Sequence, residues 1–227
     1  MFGGLTTAFR ARSFGVGSLA AIVLLGLAPK CVNGQEVGAF ALAGRSGHPE
    51  IGASTGFGGV LTFPMGYWVK LRLVADTRTG KGVDRIGVTC LDTQRAFRCG
   101  VREPIISETR MQALTVAVTH AWRPVYQLRL TAGGGVTVAQ TDLVAFGESG
   151  QEALVINPAT AHPGFAALAE AAWQPLRALP AMFWIGTQSR FLFLDGCDRS
   201  GERYQAFCGR ELFTDILAGV SATLVLR

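Results

Sequence analysis

Apolar and polar residues alternate with a period of two in segment after segment of this sequence. In "FTDILAGVSATLVLR", residues 213–227, Ile216, Ala218, Val220, Ala222, Leu224 and Leu226 share one face. Asp215, Gly219, Ser221, Thr223 and Arg227 share the other, with Leu217 and Val225 as exceptions. "YWVKLRLVADTR" sets Tyr67, Val69, Leu71, Leu73 and Ala75 against Trp68, Lys70, Arg72, Asp76 and Arg78, with Val74 as the exception. "QLRLTAGGGVTVAQ" sets Leu128, Leu130, Ala132, Val136 and Val138 against Gln127, Arg129, Thr131 and Thr137. "MFWIGTQSRFLFL" sets Phe183, Ile185, Phe191 and Phe193 against Trp184, Gln188 and Arg190. Such alternation marks a strand whose two faces meet different surroundings.

With the weaker candidates the count reaches eight strands, at about 37–45, 54–63, 67–78, 110–122, 126–140, 164–174, 181–194 and 212–226. The sixth, "GFAALAEAAWQPLRAL", also contains good helix formers, but Phe165 and Trp173 oppose Glu170 and Gln174 at strand spacing. Connections alternate in length. "PMG", "RPV" and "PLRALP" join strands 2 to 3, 4 to 5 and 6 to 7, whereas the others are longer, three of them well beyond ordinary hairpin loops. An up-and-down sheet with one tight end and one elaborated end gives this pattern.

The amino terminus sets the compartment. Arg10 and Arg12 precede an uncharged run from Ser13 to Pro29 centred on "LAAIVLLGLA", the layout of a secretory signal peptide. Removal of residues 1–34 is expected, leaving 35–227 as one barrel domain; a retained membrane anchor is the alternative, and its apolar run is shorter than the ~20 residues a spanning helix needs. Cleavage takes Arg10, Arg12 and Lys30, so 21 basic residues become 18 against 16 acidic ones, a balance of +2 that argues against nucleic-acid binding. It also takes Cys31 and leaves four cysteines. In an exported chain that even number predicts the local disulfides Cys90–Cys99 and Cys197–Cys208, each in a long connection. Zinc is the rival, but neither pair has C-x2-C spacing, and His48, His120 and His162 are distant in sequence. No metal or cofactor site is predicted.

All four tryptophans (Trp68, Trp122, Trp173 and Trp184) lie near the short turns, as do Tyr67, Tyr126 and Phe183. Clustering at one end suits an aromatic belt at a membrane interface. Trp68 and Trp184 fall on the polar face, so plugging the tight end is their alternative role.

Export signal, eight alternating segments, short turns, long loops and the final "ILAGVSATLVL" together resemble the small outer-membrane β-barrels of the OmpA/OmpX-type eight-stranded class, over residues 37–227. That family usually ends on an aromatic residue, whereas this sequence ends Leu226-Arg227. The resemblance implies an all-β, eight-stranded antiparallel up-and-down transmembrane β-barrel in the bacterial outer membrane, with outer-membrane lipid as its partner.

Eight strands enclose only enough space for side chains. Lys70, Arg72, Asp76, Arg129, Glu170, Arg190 and Asp215 should point inward, where charges must pair or stay wet. A packed network joining Arg72, Arg129 and Arg190 with Glu170 and Asp215 is one arrangement; hydrated charges near the rims are the other. With a filled lumen, function moves to the loops. Arg95, Arg98 and Arg102 around the first Cys pair, and Asp195, Asp198, Arg199, Glu202, Arg203 and Tyr204 around the second, suit lipopolysaccharide phosphates or a surface partner. A solvated, protease-resistant cap is the plainer role. The chain is expected to be non-enzymatic, structural or adhesive. Two other classes compete: a soluble lipocalin-like barrel holding an apolar ligand, and an outer-membrane lipid hydrolase using His120 or His162 with a serine such as Ser189. No G-x-S-x-G nucleophile motif is present, and the sequence sets no oligomeric state.

Overall fold

A computed structural model describes residues 34–47, 51–93, 96–147, 155–156, 161–176, 180–195, 204–205 and 208–224. The proposed leader, residues 1–34, lies outside them but for Gly34. The described residues form ten strands: β1 (Gln35–Ser46), β2 (Ala53–Pro64), β3 (Val69–Thr93), β4 (Ala96–Val125), β5 (Leu128–Gly147), β6 (Val155–Ile156), β7 (Ala161–Trp173), β8 (Ala181–Asp195), β9 (Tyr204–Gln205) and β10 (Cys208–Leu224). Eight of them close into an antiparallel up-and-down ring in the order β1-β10-β8-β7-β5-β4-β3-β2, and β10 seals it against β1. The expected all-β, eight-stranded meander is thus the observed architecture. The segment with a helical alternative is strand β7.

The stagger follows from the register. Partners lead from Glu36 to Thr62, Arg72, Ala117, Gly135, Ala166, Arg190 and Phe213, and Phe213 faces Ser46, so the path returns ten residues along β1. An eight-strand ring with that stagger tilts its strands roughly 40° and has a backbone radius of about 8 Å. The start of β1, the end of β10 and the short turns gather at one end, where the Met65 amide bonds the Val69 carbonyl at 3.0 Å and the Gln174 amide the Gln127 carbonyl at 2.9 Å.

The loop end differs from the expectation. The connection placed between residues 78 and 110 is strand over nearly all its length. β2 stops pairing with β3 at Lys81 and β5 stops pairing with β4 at Ile105, while β3 and β4 continue together to Thr93 and Ala96 as a ribbon that is two-stranded beyond Arg85. Beyond Gly82 this ribbon projects roughly 35–40 Å along its strands. Register shifts at Val83/Arg85 and Thr89/Cys90 interrupt the period of two there, which is why alternation did not show it. The two other long connections each give two residues, Val155–Ile156 and Tyr204–Gln205, to a parallel pair too short for periodicity to reveal.

Cys90 and Cys99 are register partners across the ribbon. Opposed residues of an antiparallel pair have Cα atoms about 4.5–5.5 Å apart, within the range a disulfide spans. Cys197 lies outside the described residues. If residues 1–34 are removed and both pairs oxidise as the sequence predicts, alkylation should label none of Cys90, Cys99, Cys197 and Cys208 before reduction and all four after it. Mass spectrometry of the labelled chain measures this, and a freely alkylated Cys90 would remove the staple.

Candidate functional site

Along each barrel strand one parity points inward, and in a bore this narrow the inward side chains meet. They stack in four layers. Nearest the turns, Lys70 Nζ and Arg129 Nη1 both donate to Glu36 Oε1, at 2.5 and 2.6 Å. Arg129 Nη2 also lies 3.6 Å from Glu170 Oε1, and Arg72 Nη2 donates to Glu170 Oε2 at 2.5 Å. The Arg72 guanidinium lies 5.3 Å from the centre of the Trp184 ring, which packs against Phe40 at 5.6 Å. Phe40, Leu42, Val60, Val74, Trp184 and Leu217 form the apolar layer above.

The second charged layer is tighter. Arg78 grips Asp215 with two hydrogen bonds, of 2.6 and 2.7 Å, the bidentate geometry that makes guanidinium–carboxylate pairs strong and directional. Arg190 donates to both oxygens of Asp76 and approaches Asp215 at 3.6 Å, while Arg78 reaches Asp76 at 3.3 Å. Gln188 accepts from Arg190 at 3.1 Å and donates to Thr115 at 3.3 Å, and Thr115 donates to Thr137 at 2.9 Å. Ile51, Met111, Phe213, Leu192 and Leu194 cap this layer toward the loops.

Glycines make the room. A Cβ on Gly44 would overlap Asp215 Oδ1, and one on Gly219 would come within 2.7 Å of Trp184 Cζ2 and 2.8 Å of Phe40 Cβ. The cavity left between Arg72, Glu170, Trp184 and Gln188 is about 20 Å³, room for a water molecule rather than a ligand.

All seven expected lumen residues, Lys70, Arg72, Asp76, Arg129, Glu170, Arg190 and Asp215, therefore point inward and make ion pairs. They form two clusters, not one network: among the described residues no ion pair joins the layers, and Arg190 takes Asp76 as its main partner. Two members were missed. Glu36 lies just beyond the presumed cleavage point, ahead of where the first strand was placed. Arg78 was put on the correct face but left out of the network.

The aromatic assignment needs one correction. Tyr67, Trp68, Trp122, Tyr126, Trp173 and Phe183 are exposed at or near the turn end. Trp173 and Phe183 are register partners with ring centres 6.5 Å apart, and Trp68 stacks on the outward His120 at 6.1 Å. Trp184 is buried in the lumen and belongs to no belt. Its even position on β8 turns it inward with Gln188 and Arg190.

The outer face is the reverse of the interior. Phe57, Phe165, Ile185, Ile216, Val118 and Val136 are all more than half exposed. From Arg123 near the turns up to Arg45, Arg110 and Lys81 near the loops, the outward positions of the eight barrel strands carry no Asp, Glu, Lys or Arg among the described residues. On β8 the outward row runs from Phe183 to Phe193, a height of roughly 25 Å at the ring's tilt. Above it the charges return: Arg45, Arg210, the Lys81–Glu108 pair at 2.9 Å, and Arg110 opposite Asp142. This orientation overturns the lipocalin-like alternative, which needs apolar rows around an internal cavity. The hydrolase candidates are not brought together: His162 lies inside against Thr141 at 3.0 Å, His120 sits outside at the turn end, and Ser189 is on the outer side of β8. No group of three or more metal-ligating side chains occurs among the described residues.

A closed eight-strand meander, charged within and uncharged without, defines the architecture of the small outer-membrane β-barrels. No protein-family model and no curated protein sequence matches the chain. Among solved structures it is similar to Ail, the attachment invasion locus protein of Yersinia pestis, in complex with the heparin analogue sucrose octasulfate, at 9% identity and a TM-score of 0.47 over 85% of this chain and 100% of that one. It is also similar to Neisserial surface protein A, at 9% and 0.48 over 84% and 97% of the two chains. A major outer membrane protein of Thermus thermophilus follows at 13% and 0.46, over 84% and 99%. With identities this low and TM-scores below 0.5, the fold rests on the register of the chain's own strands.

Removing one partner of a buried pair leaves an uncompensated charge. Asp215→Asn should lower unfolding stability in detergent by about 3–5 kcal/mol, whereas the double change Arg78→Met with Asp215→Leu should recover much of it. Gly44→Ala should act like Asp215→Asn by displacing that carboxylate. Denaturant titration followed by tryptophan fluorescence measures all three.

Proposed function

We propose that this protein is a non-enzymatic outer-membrane β-barrel with a packed lumen, serving a structural role or binding at the cell surface through its loop end. The observation that carries this is the charge-free apolar wall. A face with Phe57, Ile216 and Phe165 bare to water would aggregate a soluble barrel, and its height of roughly 25 Å suits the hydrocarbon of a bilayer. Ring closure leaves no strand edge inside that band, the condition for crossing it with strands. The wall's natural partner is outer-membrane lipid.

Several features turn the function toward the loop end. Ion pairs and apolar layers occupy the bore, so it offers neither a ligand chamber nor an evident path for solutes. The ribbon of β3 and β4 extends far past the wall and carries Arg85, Arg98 and Arg102 in its sequence. With the outward Arg45 and Arg210 beneath it, that end favours phosphate-bearing partners such as lipopolysaccharide, or an acidic surface partner. The separation of His120, His162 and Ser189 supports the non-enzymatic assignment.

The wall is tested by Ile216→Arg at mid-height. A lipid-facing Arg near the midplane costs about 2–4 kcal/mol, so the variant should be depleted from the outer-membrane fraction and lose its heat-modifiable band. Thr79→Arg, near the charged rim, should behave as wild type. Recovery of folded Ile216→Arg in the soluble fraction would end the membrane assignment. Excision of residues 84–103 should abolish binding to lipopolysaccharide-coated surfaces without changing fractionation.

A further inference from the structure

On the outward face of β2, at the loop side of the apolar wall, Ala53, Thr55 and Phe57 form one exposed column. Register fixes what flanks each of them. Ala53 pairs with Arg45 of β1 on one side and Lys81 of β3 on the other, so a methyl group lies between two outward cations in a single row. Two strand spacings put the Arg45 and Lys81 backbones about 10 Å apart, and both side chains are long enough to close over the alanine between them. One row nearer the turns, Thr55 lies between Ala43 and Thr79. Arg110 of β4 faces Thr79 from its other side, diagonally across from Lys81.

The carboxylates of this region stand outside that seat. Glu108 meets Lys81 at 2.9 Å from the β4 side, away from Ala53, and Asp142 faces Arg110 from β5. An ammonium has three donors, so one carboxylate leaves Lys81 with two more. Arg45 faces Thr214 on its other side and has no ion-pair partner among the described residues.

Below the seat the surface turns apolar at once. Phe57, roughly 7 Å further down β2 than Thr55, is 69% exposed between Ala41 and Thr77, neither of them large enough to cover it. This is the upper edge of the charge-free wall, the level at which the head groups of a bilayer meet its acyl chains. A ligand matching both halves carries an anionic phosphate directly above a hydrocarbon chain.

We infer that this face of β1–β4 is a docking site for one phosphorylated lipid of the outer leaflet. Arg45 and Lys81 hold its phosphate over Ala53, the Thr55 hydroxyl donates from below, Arg110 flanks it, and its chain lies on Phe57. The inference rests on the proposed outer-membrane placement. It does not need the ribbon, because the seat faces the protein's own leaflet.

Native mass spectrometry of the full protein in non-ionic detergent, titrated with lipid A, tests this by counting the lipids retained. The wild type should hold one, and removing the lipid A phosphates should weaken binding about tenfold. Arg45→Gln with Lys81→Gln should weaken it as much, and Ala53→Glu, which sets a carboxylate between the cations, should abolish it. Arg123→Gln at the turn end and excision of residues 84–103 should both bind as wild type. Wild-type affinity in the double variant, or equal binding of dephosphorylated lipid A, would overturn the site. So would free inorganic phosphate that competes as well as the lipid does. If the double variant loses its heat-modifiable band, Ala53→Glu decides alone, since it leaves both cations in place. Depletion of Ile216→Arg from the outer membrane, with lipid binding unchanged in the seat variants, would end this inference and leave the membrane assignment standing. A wild type recovered in the soluble fraction would end both.

Discussion

Parity is the constraint from which the rest of the barrel follows. A strand offers alternate residues to alternate sides, so a ring can keep one chemistry inside only if its register closes on an even displacement. The path from Glu36 to Ser46 meets that condition. A displacement of nine or eleven would have put Arg72 and Ile216 on the same surface. With parity kept, the chain can be polar in its bore and apolar on its wall without breaking a hydrogen-bond ladder.

Bore width then dictates composition. Within a backbone radius of about 8 Å, side chains from opposite strands meet, so a large residue on one strand needs a small one across from it. Asp215 occupies space that Gly44 vacates, and Arg78 space that Gly56 vacates; Trp184 and Phe40 occupy space that Gly219 vacates. The 29 glycines therefore do more than supply turns. Those on the inner parity are the negative of the charged and aromatic residues they face.

How much of this the sequence disclosed depends on which signals survive without three dimensions. Face assignment did, because it needs only counting by two: every residue expected in the lumen lies there. Even the exceptions Val74 and Leu217 were informative, since both belong to the apolar layer between the charges. Partner choice did not, because Arg190 and Asp76 lie 114 residues apart and meet only through tilt and stagger. Trp184 exposed a conflict between two cues. Its closeness to a turn suggested the belt, its parity the lumen, and parity prevailed because the ring leaves it no other side. The ribbon was hidden by its register shifts, β6 and β9 by their brevity, and Glu36 by its nearness to the expected cleavage point.

The buried ion pairs answer a question that the apolar wall leaves open. Alternation fixes the register of neighbouring strands only to within two residues: slipping one strand by two keeps Ile216 outside and Asp215 inside. The wall cannot distinguish that slipped ring from the native one. The charged layers can, because a two-residue slip moves a carboxylate about 7 Å along its strand and leaves a guanidinium with no counter-ion in a narrow, poorly solvated bore. Gly44 adds a steric version of the same test, since a slip replaces it with Leu42 or Ser46 opposite Asp215. Such pairs contribute little net stability once their desolvation is counted, and here their effect is to raise the energy of near-native alternatives. The apolar surface thus selects which face is outside, and the charges select which of the permitted staggers closes the ring.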